Sequence, residues 1–327
     1  MKAIVFEKPG AEDVLTIGEV PSPRLGPEDI RIRVRATAVN RADLLQRQGL
    51  YPPPPGASAI LGLECAGEVV EVGEAVIGWS TGNRVMALLS GGGYAQEAVV
   101  HHGSAMHVPA ALSFEEAGAL PEVFLTAFLN LFLLGEIKAG GAALVHGGGS
   151  GVGTASITLL REAGVRCLVT AGSEEKCERC RGLGADVAIN YRAGDFAPQV
   201  GDATGGRGVD VVLDSIGGQY LASNLECLAA DGRLVIIGLI GGAKAEINLA
   251  ALLLRRLRVI GSTLRARPVA EKAEIVSGFL RRFGEALQAG HIKPVIDRVL
   301  PLEQAAEAHR VVQSSVHFGK VVLRVPS

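Results

Sequence analysis

The chain reads as an α/β protein with a mostly β first domain followed by a parallel, doubly wound sheet. Three observations predict this. Its 327 residues suit two domains rather than one. Up to about residue 110, apolar and polar residues alternate as in half-buried strands; beyond Ser113, short apolar runs alternate with helical segments. Where one such run meets a helix stands a glycine-rich turn, residues 147–153.

In order along the chain, residues 29–40 alternate Ile30, Ile32, Val34 and Ala36 with Arg31, Arg33 and Arg35, so one face is apolar and the other charged. Residues 2–6, 67–72, 84–89 and 94–100 read as further strands between glycine-bearing turns. Residues 41–48 read as a short helix, with prolines 52–55 as a stiff, extended loop behind it. Ser113 and Glu116 make a capping box for a short helix, and Pro121 opens an apolar helix to Leu134. The expected order then runs strand 142–146, helix 151–163, strand 166–170, helix 173–182, and strands 187–189 and 209–214. Helix 219–228 and strands 233–238 and 257–264 complete the sheet. The tail adds helices at 269–289 and 303–312 and a closing strand at 320–325, which is read as returning to the first domain.

A hydrophobic content of 48% supports sizeable cores, and a net charge of −2 gives no electrostatic basis for binding nucleic acid. The N-terminus carries no secretory pattern. The most apolar stretch, 123–134, is broken by Thr126 and Asn130 and is too short to span a bilayer. A cytoplasmic protein with no membrane or nucleic-acid partner is expected. The five cysteines form no disulfide framework; Cys177 and Cys180 have redox or metal spacing but no partner pair, and read as a coincidence of helical spacing. His101, His102 and His107 read as loop or strand residues.

The strongest local signal is AALVHGGGSGVGTA, residues 142–155. A buried strand enters the turn through Gly147, Gly148, Gly149, Ser150, Gly151, Val152 and Gly153, and a helix follows at once. Glycines let the backbone approach a pyrophosphate, which the helix N-terminus then stabilises. The acidic residue that would clamp an unphosphorylated ribose is missing about 20 residues on. The second strand instead ends in Ala171, Gly172 and Ser173, with Lys176 one turn further. Ser173 and Lys176 suit a 2′-phosphate and hence NADPH. The plainer alternative makes Ser173 an N-cap and Lys176 a solvated surface residue. Glu174 and Glu175 beside them are a counter-signal to a phosphate, unless as first-turn residues they simply complement the helix dipole.

Several motifs carry a family resemblance: Asn40-Arg41-Ala42-Asp43-Leu44, Gln46-Arg47-Gln48-Gly49, Tyr51 with the prolines and Gly56, and Leu61-Gly62-Leu63-Glu64 with Gly67. Further on stand Pro121, Leu125-Thr126-Ala127, the glycine turn, Asp214-Ser215-Ile216-Gly217-Gly218 and Gly319-Lys320-Val321-Val322-Leu323. With these motifs the chain resembles the medium-chain dehydrogenase/reductase superfamily, and within it the zeta-crystallin-like quinone oxidoreductases. The block from Asn40 to Gly67 is similar to the branch induced by a tumour suppressor in mammals.

The resemblance implies a GroES-like β domain over 1–122, a Rossmann domain over 123–264 and a return to the first domain over 265–327, with the active site in the cleft between domains. It implies NADPH-dependent reduction of quinones, or of enones and alkenals, which use the same cleft. Some relatives instead serve as lens proteins or contact RNA. The cofactor residues implied are Thr126, Gly148 to Gly153, Gly172, Ser173, Lys176, Tyr191, Ser215, Ile216, Gly238, Leu239, Ile240, Leu264, Gly319 and Lys320. Tyr191 would cover the 2′-phosphate.

Asn40, Asp43 and Tyr51 would border the acceptor, with Tyr51 donating a hydrogen bond and Asn40 positioning it. A packing role for Tyr51 and a salt-bridge role for Asp43 remain alternatives. No metal is expected: Leu63 stands where zinc enzymes of the superfamily carry histidine, and leucine cannot ligate zinc. A homodimer is expected through the edge strand at 257–264.

Overall fold

A computed structural model describes residues 1–326 and divides into two units. One comprises Met1–Leu125 and the segment from Leu264 onward; the other is Thr126–Thr263. A helix opened by Pro121 runs through the first of these divisions.

In the first unit, β1 (Lys2–Val5) pairs with β2 (Thr16–Glu19). There follow β3 (Asp29–Ala38), α1 (Arg41–Arg47), β4 (Glu64–Val72), β5 (Arg84–Leu88), β6 (Glu97–His101), β7 (Ala105–His107), α2 (Phe114–Ala117) and α3 (Pro121–Phe128). The alternation in β3 does what its pattern predicts: Ile30, Ile32, Val34 and Ala36 are buried, while Arg31 and Arg35 meet Glu71, Glu97 and Glu68 on neighbouring strands.

The second unit contains β8 (Ala142–His146), α4 (Gly151–Glu162), β9 (Arg166–Ala171), α5 (Glu174–Leu183), β10 (Val187–Asn190), α6 (Phe196–Ala203) and β11 (Val209–Asp214). It continues with α7 (Leu221–Cys227), β12 (Leu228–Ile236), α8 (Leu249–Arg255) and β13 (Arg258–Gly261). Its strands are all parallel, in the order β10-β9-β8-β11-β12-β13. The chain reverses its direction of sheet growth between β8 and β11, the switch point at whose carboxyl ends open α/β sheets take their ligands.

Back in the first unit, α9 (Val269–Gln288), β14 (Ile296–Pro301), α10 (Ala305–Ser314) and β15 (Lys320–Arg324) complete the chain. β15 lies antiparallel to β3, with Leu323 opposite Thr37, and β14 pairs with β15. The sheet order is therefore β14-β15-β3-β4-β5-β7, with β6 also on β3. One core gathers Ile30 and Ile32 from β3, Val69 from β4, Val311 and Val312 from α10, and Val321 and Leu323 from β15.

Some elements depart from the sequence expectations. The helix opened by Pro121 is α-helical only to Phe128, and residues 129–134 form a π-turn. Asn130 places its side-chain amide on the Thr126 carbonyl at 2.7 Å, and the Gly135 amide bonds Asn130 O five residues back, so the ladder widens by one step. Strand β12 begins at Leu228, five residues before the expected start, because Asp231 takes a left-handed conformation that lets the chain resume pairing after an irregularity. Strands β2, β7 and β14 and helices α6 and α8 have no counterpart in the sequence reading.

Gly67 on β4 faces the backbone of β3 so closely that a Cβ would lie 1.9 Å from the Arg33 carbonyl oxygen. Gly67→Ala is expected to lower stability by roughly 1–3 kcal/mol, the usual cost of overpacking. A urea midpoint equal to that of the wild type would show that the pair of strands yields without strain.

Candidate functional site

In the second unit the glycine turn is held from below by a directed hydrogen-bond network. Gly148 N donates to Thr170 O at 2.8 Å and Gly147 N to Thr170 Oγ1 at 3.3 Å. Thr170 Oγ1 lies 3.0 Å from His146 Nδ1, and His146 Nε2 lies 2.7 Å from Asn224 Oδ1. Asn224 Nδ2 donates to Asp214 Oδ2, whose carboxylate also receives Ile216 N and Gly217 N. One assignment satisfies every member: Asn224 gives its amide hydrogen to Asp214, so its carbonyl accepts from His146 Nε2. His146 Nδ1 then accepts from the Thr170 hydroxyl, whose lone pair remains for Gly147 N. Burial lowers the His146 pKa to about 4, so the ring is neutral at ordinary pH. It packs edge-on against Phe196 and Tyr220.

Above this base the turn is tight by necessity. A Cβ on Gly153 would meet Gly147 O at 2.2 Å, and one on Gly148 would meet the Val169 side chain at 2.8 Å. Ser150 caps α4 by accepting from Gly153 N, while Thr154 N bonds Ser150 O. The amides of Gly151 and Val152 open the helix, where an anion is favoured. Ser215 and Ile216 follow β11; their carbonyls accept from Ile240 and Gly241 in the loop after β12, and Gly238 lies against Ser215. The residues expected at the dinucleotide in this unit thus collect at the carboxyl ends of β8, β9, β10, β11 and β12, apart from Thr126, which is buried on α3.

Ser173 is an N-cap, its Oγ accepting from Lys176 N at 3.2 Å. Its hydroxyl hydrogen remains available to a ligand. Tyr191 folds over Gly172: a Cβ there would lie 2.8 Å from the Tyr191 hydroxyl and 3.6 Å from Arg192 Nε. Arg192, absent from the sequence expectations, therefore adds an exposed cation beside Gly172 and Ser173. Cys177 and Cys180 are buried free thiols, and burial pushes the Cys180 thiol up to about 12, which makes the pair inert packing.

In the first unit, three of the residues expected at the site have their polar atoms engaged by other protein groups. Lys320 is one of them. Its ammonium uses its three hydrogens on Glu64 Oε1 at 2.8 Å, Asn40 Oδ1 at 2.6 Å and Val39 O at 3.1 Å. Asn40 is equally engaged, donating to Ala38 O and Glu64 Oε1, so no amide hydrogen is left to position an acceptor. Asp43 has neither a salt bridge among the described residues nor an open oxygen. It accepts from the Asn40 and Gly62 amides, and more distantly from the Tyr94 hydroxyl. Burial raises its pKa to about 6, although those amides and the charges of Lys320 and Arg265 oppose the rise.

Behind Asp43 runs a second chain. Arg47 Nη1 donates to His309 Nδ1, which leaves His309 Nε2 to donate to Tyr94 and Tyr94 to donate to Asp43. Gly319 is fixed by the fold, since a Cβ would lie 2.2 Å from Val295 O.

Tyr51 is half-buried, with the Arg265 guanidinium 5.3 Å from its ring centre. Its hydroxyl has no protein hydrogen-bond partner among the described residues. Arg265 itself donates to Gln46 Oε1 and to the carbonyls of Ser90 and Tyr51. Lys272 donates to Ser90 Oγ and Arg265 O. The sequence reading missed Arg265, Lys272, Tyr94, His309 and Glu122, whose only sequence signal is a charged or polar residue beside apolar ones.

Comparison with known proteins places these features in context. Residues 26–110 match the family model described as alcohol dehydrogenase GroES-like domain, and residues 183–323 match that described as zinc-binding dehydrogenase. The human synaptic vesicle membrane protein VAT-1 homolog is 32% identical over 99% of this chain and 86% of its own length. A rat quinone oxidoreductase is 31% identical over 99% of this chain and 97% of its own.

Among solved structures, the Escherichia coli quinone oxidoreductase complexed with NADPH is 30% identical, with a TM-score of 0.86 over 99% of this chain and all of the other. The CurK enoyl reductase is 29% identical, with a TM-score of 0.86 over 99% of each chain. The zinc in the second family description has no fitting donors here. Leu63 is a buried hydrocarbon, and no group of three or more His, Cys, Asp or Glu among the described residues could hold a metal ion.

Lys320→Met would leave Glu64 charged and buried without its cation. It is expected to destabilise the protein by about 3–5 kcal/mol, read by urea unfolding. The double variant with Glu64→Gln should recover much of that loss; if it fails to, Lys320 acts through packing alone.

Proposed function

Because the chain belongs to the medium-chain dehydrogenase/reductase superfamily, a family of oxidoreductases, we propose that it is an NADPH-dependent quinone reductase. The observation that carries this reading is the glycine turn, braced by Thr170 and His146, together with Ser173, Tyr191 and Arg192 around Gly172. NADPH, when bound, supplies a hydride. The amides that open α4 would hold its pyrophosphate, and Ser173, Lys176, Tyr191 and Arg192 its 2′-phosphate. Tyr51 would direct its unpartnered hydroxyl to the acceptor oxygen, so that rate depends chiefly on orientation. The match to an enoyl reductase favours a second reading, reduction of a conjugated carbon–carbon double bond at the same residues. NADPH oxidation measured against quinones, enones and alkenals separates the two. Oxidation with none of them would remove both readings and leave a binding protein.

Five free, buried cysteines suit the reducing cytoplasm as the compartment. No helix among the described residues is long and apolar enough to cross a membrane.

Cofactor choice follows from charge. One charge-assisted hydrogen bond contributes roughly 1.5–3 kcal/mol, which corresponds to a factor of about 10 to 100. Lys176→Ala is expected to raise the KM for NADPH by that factor and leave NADH kinetics unchanged; Arg192→Ala should act in the same direction. Equal losses with both cofactors would assign these cations to the fold, and a wild-type preference for NADH would exclude NADPH as the working cofactor.

We also propose a homodimer through β13. This strand ends the second unit's sheet with an open edge, and Val259 upon it is exposed, as are Leu249, Leu253 and Leu254 on α8. Covering such an edge and apolar surface suits self-association. Light scattering should show a dimer at micromolar concentration, and Leu254→Glu should shift it toward monomer. A wild type that remains monomeric would leave this face without the partner assigned to it.

A further inference from the structure

Three carboxyl groups lie together in the first unit, and they differ in how their oxygens are supplied. Glu64 receives Lys320 and Asn40 on one oxygen and the Glu122 amide on the other. Asp43 receives the amides of Gly62 and Asn40. Glu122, at the start of α3, has a side-chain oxygen, Oε2, that is buried and has no hydrogen-bond partner. A buried carboxylate oxygen without a donor bears its charge at high cost, whereas a carboxylic acid carries its own hydrogen. The groups acting on Glu122 are Glu64 from β4, Asp43 from α1, Lys320 from β15 and Lys272 from α9. Its charge is also felt by the Tyr51 phenol and the Arg265 guanidinium, so it belongs to the patch that carries Tyr51.

We propose that Glu122 is the proton donor of the reduction, a role that rests on the reductase reading above. Hydride transfer oxidises the dinucleotide, brings two electrons and one hydrogen to the acceptor, and leaves an oxyanion or enolate. The Glu122 O–H bond then breaks, its proton forms the new O–H or C–H bond, and the carboxylate regains a proton from water. Burial first, and then repulsion from Glu64, push the Glu122 carboxyl up to about 8 against the attraction of Lys320 and Lys272. Such an acid is both protonated and labile near neutral pH. Burial raises the Tyr51 phenol above its ordinary value, so it is the weaker acid and serves to orient.

The test compares the wild type with Glu122→Gln and Glu122→Asp. Glu122→Gln should lower kcat by on the order of 100-fold or more, with NADPH affinity within about twofold. The wild-type kcat should be flat below the acid's pKa and fall as pH rises through about 8. Glu122→Asp should keep that limb with part of the rate, and Glu122→Gln should lose it.

A second readout needs neither cofactor nor acceptor. A carboxyl raised from 4.5 when unfolded to about 8 when folded contributes stability that is fully present below 4.5 and is lost as pH rises through 8. Glu122→Gln should therefore gain stability relative to wild type between about pH 5 and pH 8 in urea unfolding. An unchanged kcat, a persistent limb in Glu122→Gln, or a pH-independent stability difference would each overturn the assignment. A wild type that oxidises no NADPH with quinones, enones or alkenals would sink the reductase reading itself, and the donor role with it.

Discussion

Glu64 sits on β4 with no exposed surface, and its two oxygens bind three separate pieces of chain. Oε1 takes the Lys320 ammonium from β15 and the Asn40 amide that begins α1; Oε2 takes the backbone N–H of Glu122 as α3 begins. A charge this deep is tolerated only because every lone pair in use faces a donor and the counter-charge is equally buried. The constraint is mutual. Lys320 reaches Glu64 only if β15 returns to lie beside β3, and Asn40 reaches it only if α1 begins where β3 ends. The position of the candidate site in this unit therefore depends on a strand that arrives last in the sequence.

The second unit solves a similar problem with almost no charge. Its switch point needs the ends of β8, β9 and β11 held in fixed relation, so that the glycine turn and the loop after Asp214 keep their shape. Thr170, His146, Asn224 and Asp214 do this through four side chains, of which only the last is formally ionised. A neutral His146 suits the task because it donates on one nitrogen and accepts on the other, which an imidazolium cannot do. Burial that lowers its pKa to about 4 thus preserves the direction of the whole network.

What the sequence made legible was whatever repeats locally. The alternation in β3, the capping box at Ser113 and Glu116, and the glycine turn before α4 each depend on neighbours within a few residues, and each stands in the structure. The short strands β2 and β14 lack that signal, since none of their residues is fully buried and pairing partners alone define them. The site divides in the same way. Gly153 and Ser173 were readable because a turn and a helix start are local events. The bond from Lys320 to Glu64 was not readable because the two lie far apart in sequence, and a lysine after a glycine looks the same whether it faces a phosphate or a buried carboxylate. Arg192 went unnoticed for a related reason: only the fold brings the end of β10 beside the end of β9.

Saturation of hydrogen bonds then sorts the residues by what remains open to a ligand. Asn40, Asp43, Glu64 and Lys320 have their working atoms committed to one another or to the backbone, so substituting any of them alters the fold before it alters chemistry. Tyr51 and Glu122 differ: among the described residues, Glu122 Oε2 is buried without a hydrogen-bond partner, and no hydrogen bond engages the Tyr51 hydroxyl. Two buried cations, Arg265 and Lys272, stand nearby on neutral acceptors alone, with no carboxylate within ion-pair distance among the described residues. Their positive field favours an acceptor on which negative charge grows as it is reduced, and preorganised donors of this kind act most strongly where water is scarce. The committed cluster supplies the frame, and the few uncommitted atoms beside it define the chemistry the frame can serve.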